Sequence, residues 1–500
     1  MAVGVALRFF TRSDLWSDEA LAVNIADLPL RSLRSALRQD GAPPLYYGLL
    51  HGWVRAFGTG NFGTRSLSGV FAVATLPLAW SAGAHLDARL AAEGRVREGS
   101  RRVAAITLLI LAASPFALRY ATEARMYSMV IFWVFLGYVA VTRSLARAPG
   151  PWLAVVAATT AFVLYSHYWA FHLVAVVGLW LAVEVAHGRR RRAAAWTLGA
   201  VALGALAFLP WLDVFLYQLR HTGTPWLAPA SLESGAATTA TGFAGGSKVM
   251  ALVLLGLAGL GVVFRRLGPA GWELDRSRSV LTGSRPEALV GSAVVAVGLV
   301  AGRLQGSAFE ARYAAVAFPL FVLCVAAGIA VLEGRVVRVG AVAVVVLAGF
   351  VIGGRALWEN RTQASQSAAV IRRGAVPGDV VAYCPDSIAP DVNRLLPAGE
   401  GLTQMTFPGE RGPRRIDWRD YDERVRRAAP SAFARRAVRE AGAQGTVWFV
   451  WTHGVESMAG KCEQVMRALG RLRPDHAPSV EPDSDFFEKQ GLIRYPPPRS

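Results

Sequence analysis

Cysteine and lysine are scarce in this chain of 500 residues, and acidic residues are outnumbered by basic ones. The three cysteines lack the close spacing of metal ligands, which argues against a cysteine-based metal centre. The Gly-containing turns match no phosphate-loop motif, so the sequence has no signature of a nucleotide site. No internal repeat is evident. Arginine carries nearly all of the positive charge behind the formal net charge of +18.

Long apolar runs are abundant, and they indicate the fold class. Hydrophobic residues make up 53% of the chain, and they cluster in runs of about 17–25 residues, the length that crosses a bilayer. Residues 1–10 are apolar but too short to span, and we interpret them as the second half of a first helix. The sequence therefore predicts an α-helical polytopic membrane protein with about ten or eleven transmembrane helices. The clear spans lie at about 65–85, 103–119, 126–142, 152–166, 168–187, 194–217, 248–264, 288–304, 313–332 and 336–353.

Charge alternates between the loops that join these runs. Every second loop is rich in arginine, as at 189–192, and the positive-inside rule places such loops in the cytoplasm. The intervening loops hold Asp18, Glu123, His167 and Glu310, and they should face the opposite side. This alternation puts the C-terminal region outside the cytoplasm. Because the arginines follow the topology, the high charge does not indicate a nucleic-acid-binding protein.

The character of the sequence changes after about residue 360. Residues 380–383 and 447–450 predict short buried strands. Residues 421–441 predict a helix that is rich in arginine and alanine. We therefore expect a small extracytoplasmic α/β domain over residues 360–500.

The positions of the cysteines bear on the compartment of this domain. Cys324 lies in an apolar run and should be an inert buried thiol. Cys384 and Cys462 both lie in the polar C-terminal region. A disulfide between them is compatible with an extracytoplasmic location, and the sequence leaves its formation open.

The long first loop, about residues 11–64, carries an amphipathic segment. This pattern is typical of a basic helix that lies in the membrane interface, and it also fits an ordinary packed surface helix. We assign the loop to a membrane domain over residues 1–355. Leucines share one helical face of the segment and arginines share the neighbouring face: Leu30, Leu33, Leu37, Arg31, Arg34 and Arg38.

Two acidic segments in the outer loops are candidates for catalysis. Asp18 and Glu19 directly follow the first apolar segment, where carboxylates are costly to desolvate and usually have a task. The alternative is a helix cap with a first-turn acid. Glu123 and Arg125 lie in a very short loop between two spans, which holds both charges at membrane depth. The alternative for this pair is a structural ion pair.

Two further outer loops are candidates for binding an anion. His167 and Tyr168 lie in a tight turn, for which the alternative is an interfacial aromatic belt. The Arg312 guanidinium, next to Tyr313, can hold a phosphate through forked hydrogen bonds or snorkel from a helix end. Together these loops hold acids, arginines and a histidine on one membrane face. In sugar transfer from a phosphate-linked carrier, a carboxylate takes the acceptor proton and cations stabilise the departing phosphate.

Several short motifs follow one another in the membrane part of the chain. They are Leu-Trp-Ser-Asp-Glu-Ala at 15–20, Ala-Pro-Pro-Leu-Tyr-Tyr at 42–47, Arg65 at the start of the next span, Tyr-Ala-Thr-Glu-Ala-Arg-Met-Tyr at 120–127, and His167-Tyr168. This order resembles that of the membrane-embedded GT-C glycosyltransferases. Within them it is similar to the family 39-like group, which includes protein O-mannosyltransferases and the aminoarabinose transferases of lipid A. The resemblance covers about residues 1–355.

The resemblance implies a role for each candidate residue. Asp18 would be the general base, Glu19 would support it or bind a metal in relatives that use one, and Glu123 matches the second acidic position of the fold. Arg125, His167 and Arg312 would line the site of the carrier phosphate. No cofactor is firmly implied, and a divalent metal is left open. The full set of substrate-binding residues would be Arg65, Arg125, Tyr127, His167, Tyr168, Arg312 and Tyr313.

The function that the resemblance implies is that of a glycosyltransferase in a bacterial plasma membrane. It would move a hexosyl or pentosyl group from a polyprenyl-phosphate carrier to an acceptor hydroxyl at the extracytoplasmic face, with inversion. The acceptor would be a glycan, a lipid or a protein of the cell envelope; membrane lipid would be a partner, and nucleic acid would not. Two alternatives stay open. One is a transporter or flippase of lipid-linked sugars, which would place charges at the bilayer midplane, and the other is a catalytically inactive relative.

Overall fold

The computed structural model divides the chain into two compact units. The first, here called the membrane unit, comprises Met1–Thr11, Arg65–Asp213 and Pro229–Leu357. The second, the sheet unit, comprises Arg12–Thr64, Val214–Ala228 and Trp358–Ser500. Helices are numbered α1–α22 and strands β1–β7 in chain order. The structure describes residues 1–500 except 225, 228, 269–270, 278–281, 398–400, 410, 459 and 499–500.

The membrane unit consists largely of helices. Its 3₁₀ helices are Leu7–Phe9, Leu209–Trp211 and Ala311–Val316, and its antiparallel hairpin is β1 (Phe264–Gly268) with β2 (Gly271–Leu274). Its α-helices are α1 (Ala2–Ala6), α5 (Asn61–Ala92), α6 (Arg102–Ala113), α7 (Pro115–Ala121), α8 (Tyr127–Arg147), α9 (Trp152–Ser166), α10 (Ala170–His187), α11 (Arg191–Leu206), α13 (Leu232–Phe243), α14 (Lys248–Val263), α15 (Arg285–Leu304), α16 (Phe318–Ala330) and α17 (Arg335–Trp358).

Most of these helices are long and apolar enough to cross a membrane. Among the described residues, six stretches meet this condition alone: Asn61–Ala92, Tyr127–Arg147, Ala170–His187, Arg191–His221, Arg285–Leu304 and Arg335–Trp358. The bent pairs α6–α7 and α13–α14 raise the number to eight if each pair is one span, and α9 and α16 are shorter apolar helices. Each of the ten predicted spans overlaps one of these helices or pairs, but among the described residues α9 and α16 are too short to count among the six to eight candidate spans. The prediction of an α-helical polytopic membrane protein is confirmed.

A proline breaks the pair α6–α7, which bends by 54°. Pro115 has no amide hydrogen, so the carbonyl group of Leu111, one turn earlier, loses its usual partner. The buried guanidinium of Arg8 replaces it: Nη2 donates to the Leu111 oxygen at 2.8 Å, and Nη1 donates to that of Ala112 at 3.0 Å. The short N-terminal segment is thus tied to the unit through carbonyl groups that lipid cannot hydrate.

The sheet unit combines helices with a five-stranded mixed sheet. The strands are β3 (Val380–Cys384), β4 (Thr403–Thr406), β5 (Val447–Trp451), β6 (Ala477–Val480) and β7 (Gly491–Tyr495), in the order β4-β3-β5-β7-β6. β3 is parallel to β4 and β5, whereas β7 is antiparallel to β5 and β6. Both predicted strands are present, and the small C-terminal sheet domain is confirmed. The helices are α2 (Ser17–Ala26), α3 (Leu30–Asp40), α4 (Leu45–Phe57), α12 (Leu212–His221), α18 (Ala364–Gly374), α19 (Ala389–Leu395), α20 (Tyr421–Arg427), α21 (Pro430–Ala441) and α22 (Lys461–Leu472), with 3₁₀ helices Asp386–Ile388 and Glu456–Met458.

The single helix predicted over residues 421–441 is wrong, because the segment forms two helices. α20 ends at Arg427, and α21 begins at Pro430. Proline disfavours helical backbone in the residue before it, and Ala429 has φ −106° and ψ 101°. The proline therefore starts a new helix and ends the previous one.

The three cysteines form one disulfide and one free thiol. Cys384, the last residue of β3, forms a disulfide with Cys462 of α22 across a sequence separation of 78 residues. Cys324 of α16 is a free, buried thiol, as predicted. The disulfide fastens α22 to the parallel part of the sheet.

The first loop, residues 11–64, lies largely in the sheet unit. Its helix α3 is amphipathic as predicted, with Leu33 and Leu37 buried. Gln218 of α12 donates to the carbonyl oxygen of Leu37 at 2.7 Å, and the Arg38 guanidinium lies 3.7 Å from the centroid of the Tyr217 ring. The apolar face of α3 therefore packs against protein, which favours the packed-helix alternative over the interfacial one.

Candidate active site

Residues 16–19 form the start of helix α2 in the sheet unit. Trp16 has extended backbone, and Ser17 is the first helical residue. Glu19 is 0% exposed, and its Oε2 accepts the backbone N–H of Trp16 at 3.4 Å. A carboxylate at this position satisfies a donor that the helix start leaves unpaired. The structure therefore gives Glu19 the capping role that was one of the two interpretations of the acidic pair.

Asp18 differs from Glu19 in its exposure. It is half-buried, whereas the residues on either side of it, Ser17 and Glu19, are buried. Its position in the first turn of α2 is favourable for a negative charge. Asp18 is thus a carboxylate on a rigid helix start with part of its surface open. Such a group can accept a proton from a hydroxyl that reaches it.

The other candidate residues lie in the membrane unit. Glu123, in the turn between α7 and α8, is 1% exposed, and the Nε of Arg119 lies 3.3 Å from its Oε2. The structure thus gives Glu123 an ion pair with Arg119, whereas the ion-pair alternative named Arg125 as its partner. The carbonyl oxygen of Arg125 accepts the hydroxyl of Ser68 at 3.1 Å, which fixes the turn against α5. Arg65 is buried one helical turn before Ser68, on the same side of α5.

His167, between α9 and α10, brings four of the predicted residues together. Its ring lies between the rings of Tyr127 and Tyr313, with centroid distances of 5.7 and 5.8 Å. Burial, together with the charges of Arg125 and Arg312, lowers the pKa of His167 to about 3. The imidazole is therefore neutral at physiological pH, and both guanidinium groups act on it. We call these five residues the basic-aromatic cluster.

One hydrogen bond determines the tautomer of His167. The backbone N–H of Trp169 donates to Nδ1 of His167 at 3.2 Å, so the proton of the neutral ring is on Nε2. The cluster thus presents one imidazole N–H donor and two guanidinium groups. Charge-assisted hydrogen bonds from such donors are strong, and the fork of guanidinium donors matches the geometry of a phosphate group.

Tyr168 is not part of this cluster in the structure. Its hydroxyl accepts the indole N–H of Trp211 at 3.1 Å, and its ring stacks on Phe171. Sequence reasoning did not select Trp169, whose ring lies 6.2 Å from that of Tyr313, or Tyr120, whose ring lies 4.8 Å from that of Tyr127. Tyr120 lies within the motif at 120–127 and Trp169 directly follows His167-Tyr168, and these motifs were the available signal.

Metal ions in proteins are held by groups of titratable side chains. Within the part of the chain that the structure describes, no group of three or more His, Cys, Asp or Glu residues could hold a metal ion. We therefore assign no step of the reaction to a metal.

The chain is similar in structure to proteins whose structures have been solved. No protein-family model matches the chain, and no curated protein matches it. The chain is similar to ArnT from Cupriavidus metallidurans bound to undecaprenyl phosphate, with a TM-score of 0.56 at 12% identity over 99% of this chain and 97% of that one. It is also similar to the oligosaccharyltransferase of Archaeoglobus fulgidus in complex with Zn and sulfate, with a TM-score of 0.50 at 11% identity over 94% of this chain and 70% of that one. Both are GT-C proteins, and this chain has the GT-C fold that its motifs predicted.

Proposed function

We propose that the protein is a glycosyltransferase that moves a monosaccharide from a polyprenyl-phosphate carrier to an acceptor hydroxyl. The observation that carries the proposal is the basic-aromatic cluster, in which the His167 ring lies close to those of Tyr127 and Tyr313 and the Arg312 guanidinium lies 5.9 Å from the centroid of the Tyr313 ring. Two guanidinium groups and an imidazole N–H suit a phosphate group. The similar ArnT structure is bound to undecaprenyl phosphate, which is a carrier of this class.

The proposed reaction is a single displacement at the anomeric carbon of the donor sugar. The acceptor oxygen forms the new bond to that carbon while the bond from the carbon to the phosphate oxygen breaks. The polyprenyl phosphate leaves with the electron pair, and one displacement inverts the anomeric configuration. Asp18 takes the proton of the acceptor hydroxyl as general base. Arg125 and Arg312 stabilise the negative charge that develops on the leaving phosphate.

We assign the reaction to the extracytoplasmic face of a bacterial plasma membrane. The alternation of arginine-rich loops supports this side for the candidate residues. The disulfide between Cys384 and Cys462 supports an oxidising compartment for the sheet unit. The donor sugar in this proposal is a hexose such as mannose or a pentose such as arabinose, and the acceptor is a glycan, a lipid or a protein of the cell envelope.

Transfer from a panel of radiolabelled polyprenyl-phosphate sugars tests the proposal. The full-length protein is purified, reconstituted into vesicles and incubated with membrane extract as the source of acceptor. We expect one donor to lose its sugar to the extract, with an equal amount of polyprenyl phosphate released. Movement of the intact donor between leaflets would replace the proposal with the transporter alternative. Neither transfer nor movement would favour the inactive relative.

Replacing Arg312 with alanine should raise the KM for the donor by about tenfold to a hundredfold. A hydrogen bond to a charged group contributes about 1.5–3 kcal/mol, and each 1.4 kcal/mol corresponds to roughly tenfold in binding. Initial rates over a range of donor concentrations measure the effect. The matched control is Arg303→Ala, an exposed arginine at the end of α15, which should leave KM within about twofold. An equal rise in both variants would attribute the effect to net charge rather than to the cluster.

A further inference from the structure

A carboxyl group far along the chain holds the first residue of helix α2. Glu488 precedes β7 in the sheet unit, and its Oε2 accepts the backbone N–H of Ser17 at 3.2 Å. Its Oε1 accepts a short hydrogen bond from the Ser17 hydroxyl. The ring of the neighbouring Phe487 packs edge-on against that of Trp16 at a centroid distance of 5.3 Å. Glu488 is itself fixed, because its backbone N–H donates to the carbonyl oxygen of Arg361 at 2.8 Å.

A second carboxyl group, Asp391 of α19, hydrogen bonds to Glu488. Asp391 accepts three further hydrogen bonds of 2.8 Å, from Thr362 Oγ1, Gln490 Nε2 and the backbone N–H of Val392. These donors stabilise its ionised form. Burial and the adjacent Asp391 raise the pKa of Glu488 well above its usual range. Burial raises the pKa of Asp391 as well, but its three donors favour the proton on Glu488, which donates it to Asp391 while its oxygens accept from Ser17.

We propose that Glu488 is a positioning residue for Asp18, because its carboxyl group clamps Ser17, the residue from which the first turn of α2 starts. The proposal rests on the proposed function, in which Asp18 is the general base. Ser17 and Asp18 are successive residues, so a clamp on the Ser17 backbone fixes the direction in which the Asp18 side chain leaves the helix. Glu19 accepts the backbone N–H of Trp16, and Glu488 accepts the backbone N–H of Ser17. Two residues thus share the donors at this helix start.

The charge state of the clamp gives it a pH dependence. The charged and titratable residues near Glu488 in the elements that it contacts are Asp18 and Glu19 in the first turn of α2, Asp391 and Arg394 of α19, Arg361, and the adjacent Lys489. The fold raises the pKa of Glu488, and the clamp is intact below that pKa. It is lost as the pH rises through that pKa, because a second negative charge then adjoins the ionised Asp391. We expect kcat to fall on the alkaline side for this reason.

Three variants and two measurements test the clamp. Glu488→Gln keeps the shape of the clamp and cannot ionise, whereas Glu488→Ala removes the clamp. The control is Glu481→Ala, which changes an exposed glutamate of the same unit. The measurements are the pH profile of kcat and amide hydrogen exchange of the segment around residues 14–21. Glu488→Ala should lower kcat on the order of tenfold to a hundredfold, with donor KM within about twofold, and should speed exchange. Glu488→Gln should keep kcat at neutral pH within about threefold and lose the alkaline fall.

The outcomes separate this inference from the proposed function. Wild-type values of kcat and exchange in Glu488→Ala would overturn the clamp, and so would an unchanged alkaline fall in Glu488→Gln. If Glu488→Ala does not fold, the profile of Glu488→Gln decides. Failure of the proposed function would appear as no transfer by the wild type, or as full activity of Asp18→Asn. Hydrogen exchange would then still decide whether Glu488 holds the start of α2.

Discussion

Replacing Asp18 with asparagine should lower kcat for sugar transfer on the order of a hundredfold or more, because general-base catalysis contributes that much. Asparagine keeps the size of the side chain but cannot take a proton from the acceptor. The fold should persist, since the loss of a negative charge from the first turn of a helix costs about 0.3–1 kcal/mol. Steady-state rates with saturating donor, together with the unfolding temperature of the purified variant, measure both effects.

Two variants on the same helix control for this result. Asp27→Asn changes an exposed aspartate at the other end of α2, which pairs with Arg414 at 3.3 Å, and it should leave kcat within about twofold. Glu19→Gln should stay within about threefold, because the glutamine carbonyl can also accept the N–H of Trp16. Wild-type transfer by Asp18→Asn would exclude Asp18 as the base. A hundredfold loss in Glu19→Gln would show that the buried cap takes part in the chemistry.

Replacing Gly328 with alanine should destabilise the membrane unit by about 3 kcal/mol or more. Gly328 of α16 lies so close to α14 that an added Cβ would be 1.6 Å from the carbonyl oxygen of Leu257. Gly261 lies opposite on α14, where its own Cβ would be 2.8 Å from the backbone nitrogen of Gly328. Small residues let helix backbones approach closely in lipid. A methyl group at Gly328 must separate the two helices by roughly 2 Å to restore an ordinary carbon–oxygen contact.

Gly259→Ala is the matched control for this substitution. Gly259 also lies on α14, and a Cβ there would meet nothing within 4 Å. Alanine should stabilise this position by about 0.5–1 kcal/mol, because glycine is the poorer helix former. The unfolding temperature of each variant in detergent should therefore fall strongly for Gly328→Ala and stay level or rise for Gly259→Ala. Equal unfolding temperatures for the two variants would show that the contact between α14 and α16 is not tight.

The membrane spans were predictable because hydrophobicity is a local property. The predicted span at 152–166 and helix α9 have the same bounds, and the predicted span at 248–264 differs from α14 by one residue. Errors arose where one proline outweighed the surrounding pattern. Pro115 splits the run at 103–119, and Pro430 splits the predicted helix at 421–441. In both cases the missing amide hydrogen and the ring of the proline override the helix propensity of the neighbouring residues.

The candidate site was predictable only as a set of residues. The motif at 15–20 drew attention to two adjacent carboxylates, and local sequence does not distinguish them. The structure separates them by burial and by one hydrogen bond, since Glu19 caps its own helix while Asp18 stays half-exposed. Likewise, Tyr168 adjoins His167 in sequence, and the structure brings it into contact with Trp211 and Phe171, which local sequence does not indicate.

The sequence alone determined that the chain is a polytopic helical membrane protein with an α/β C-terminal domain, because span length and strand hydrophobicity are read over short windows. Only the tertiary structure decided which distant residues meet. It packs the first loop with the C-terminal sheet, and it places Glu488 against Ser17 across 471 residues of chain. No periodicity encodes such a contact. It arises because the start of a helix leaves donors unpaired, and the fold supplies a carboxyl group from wherever one comes within reach.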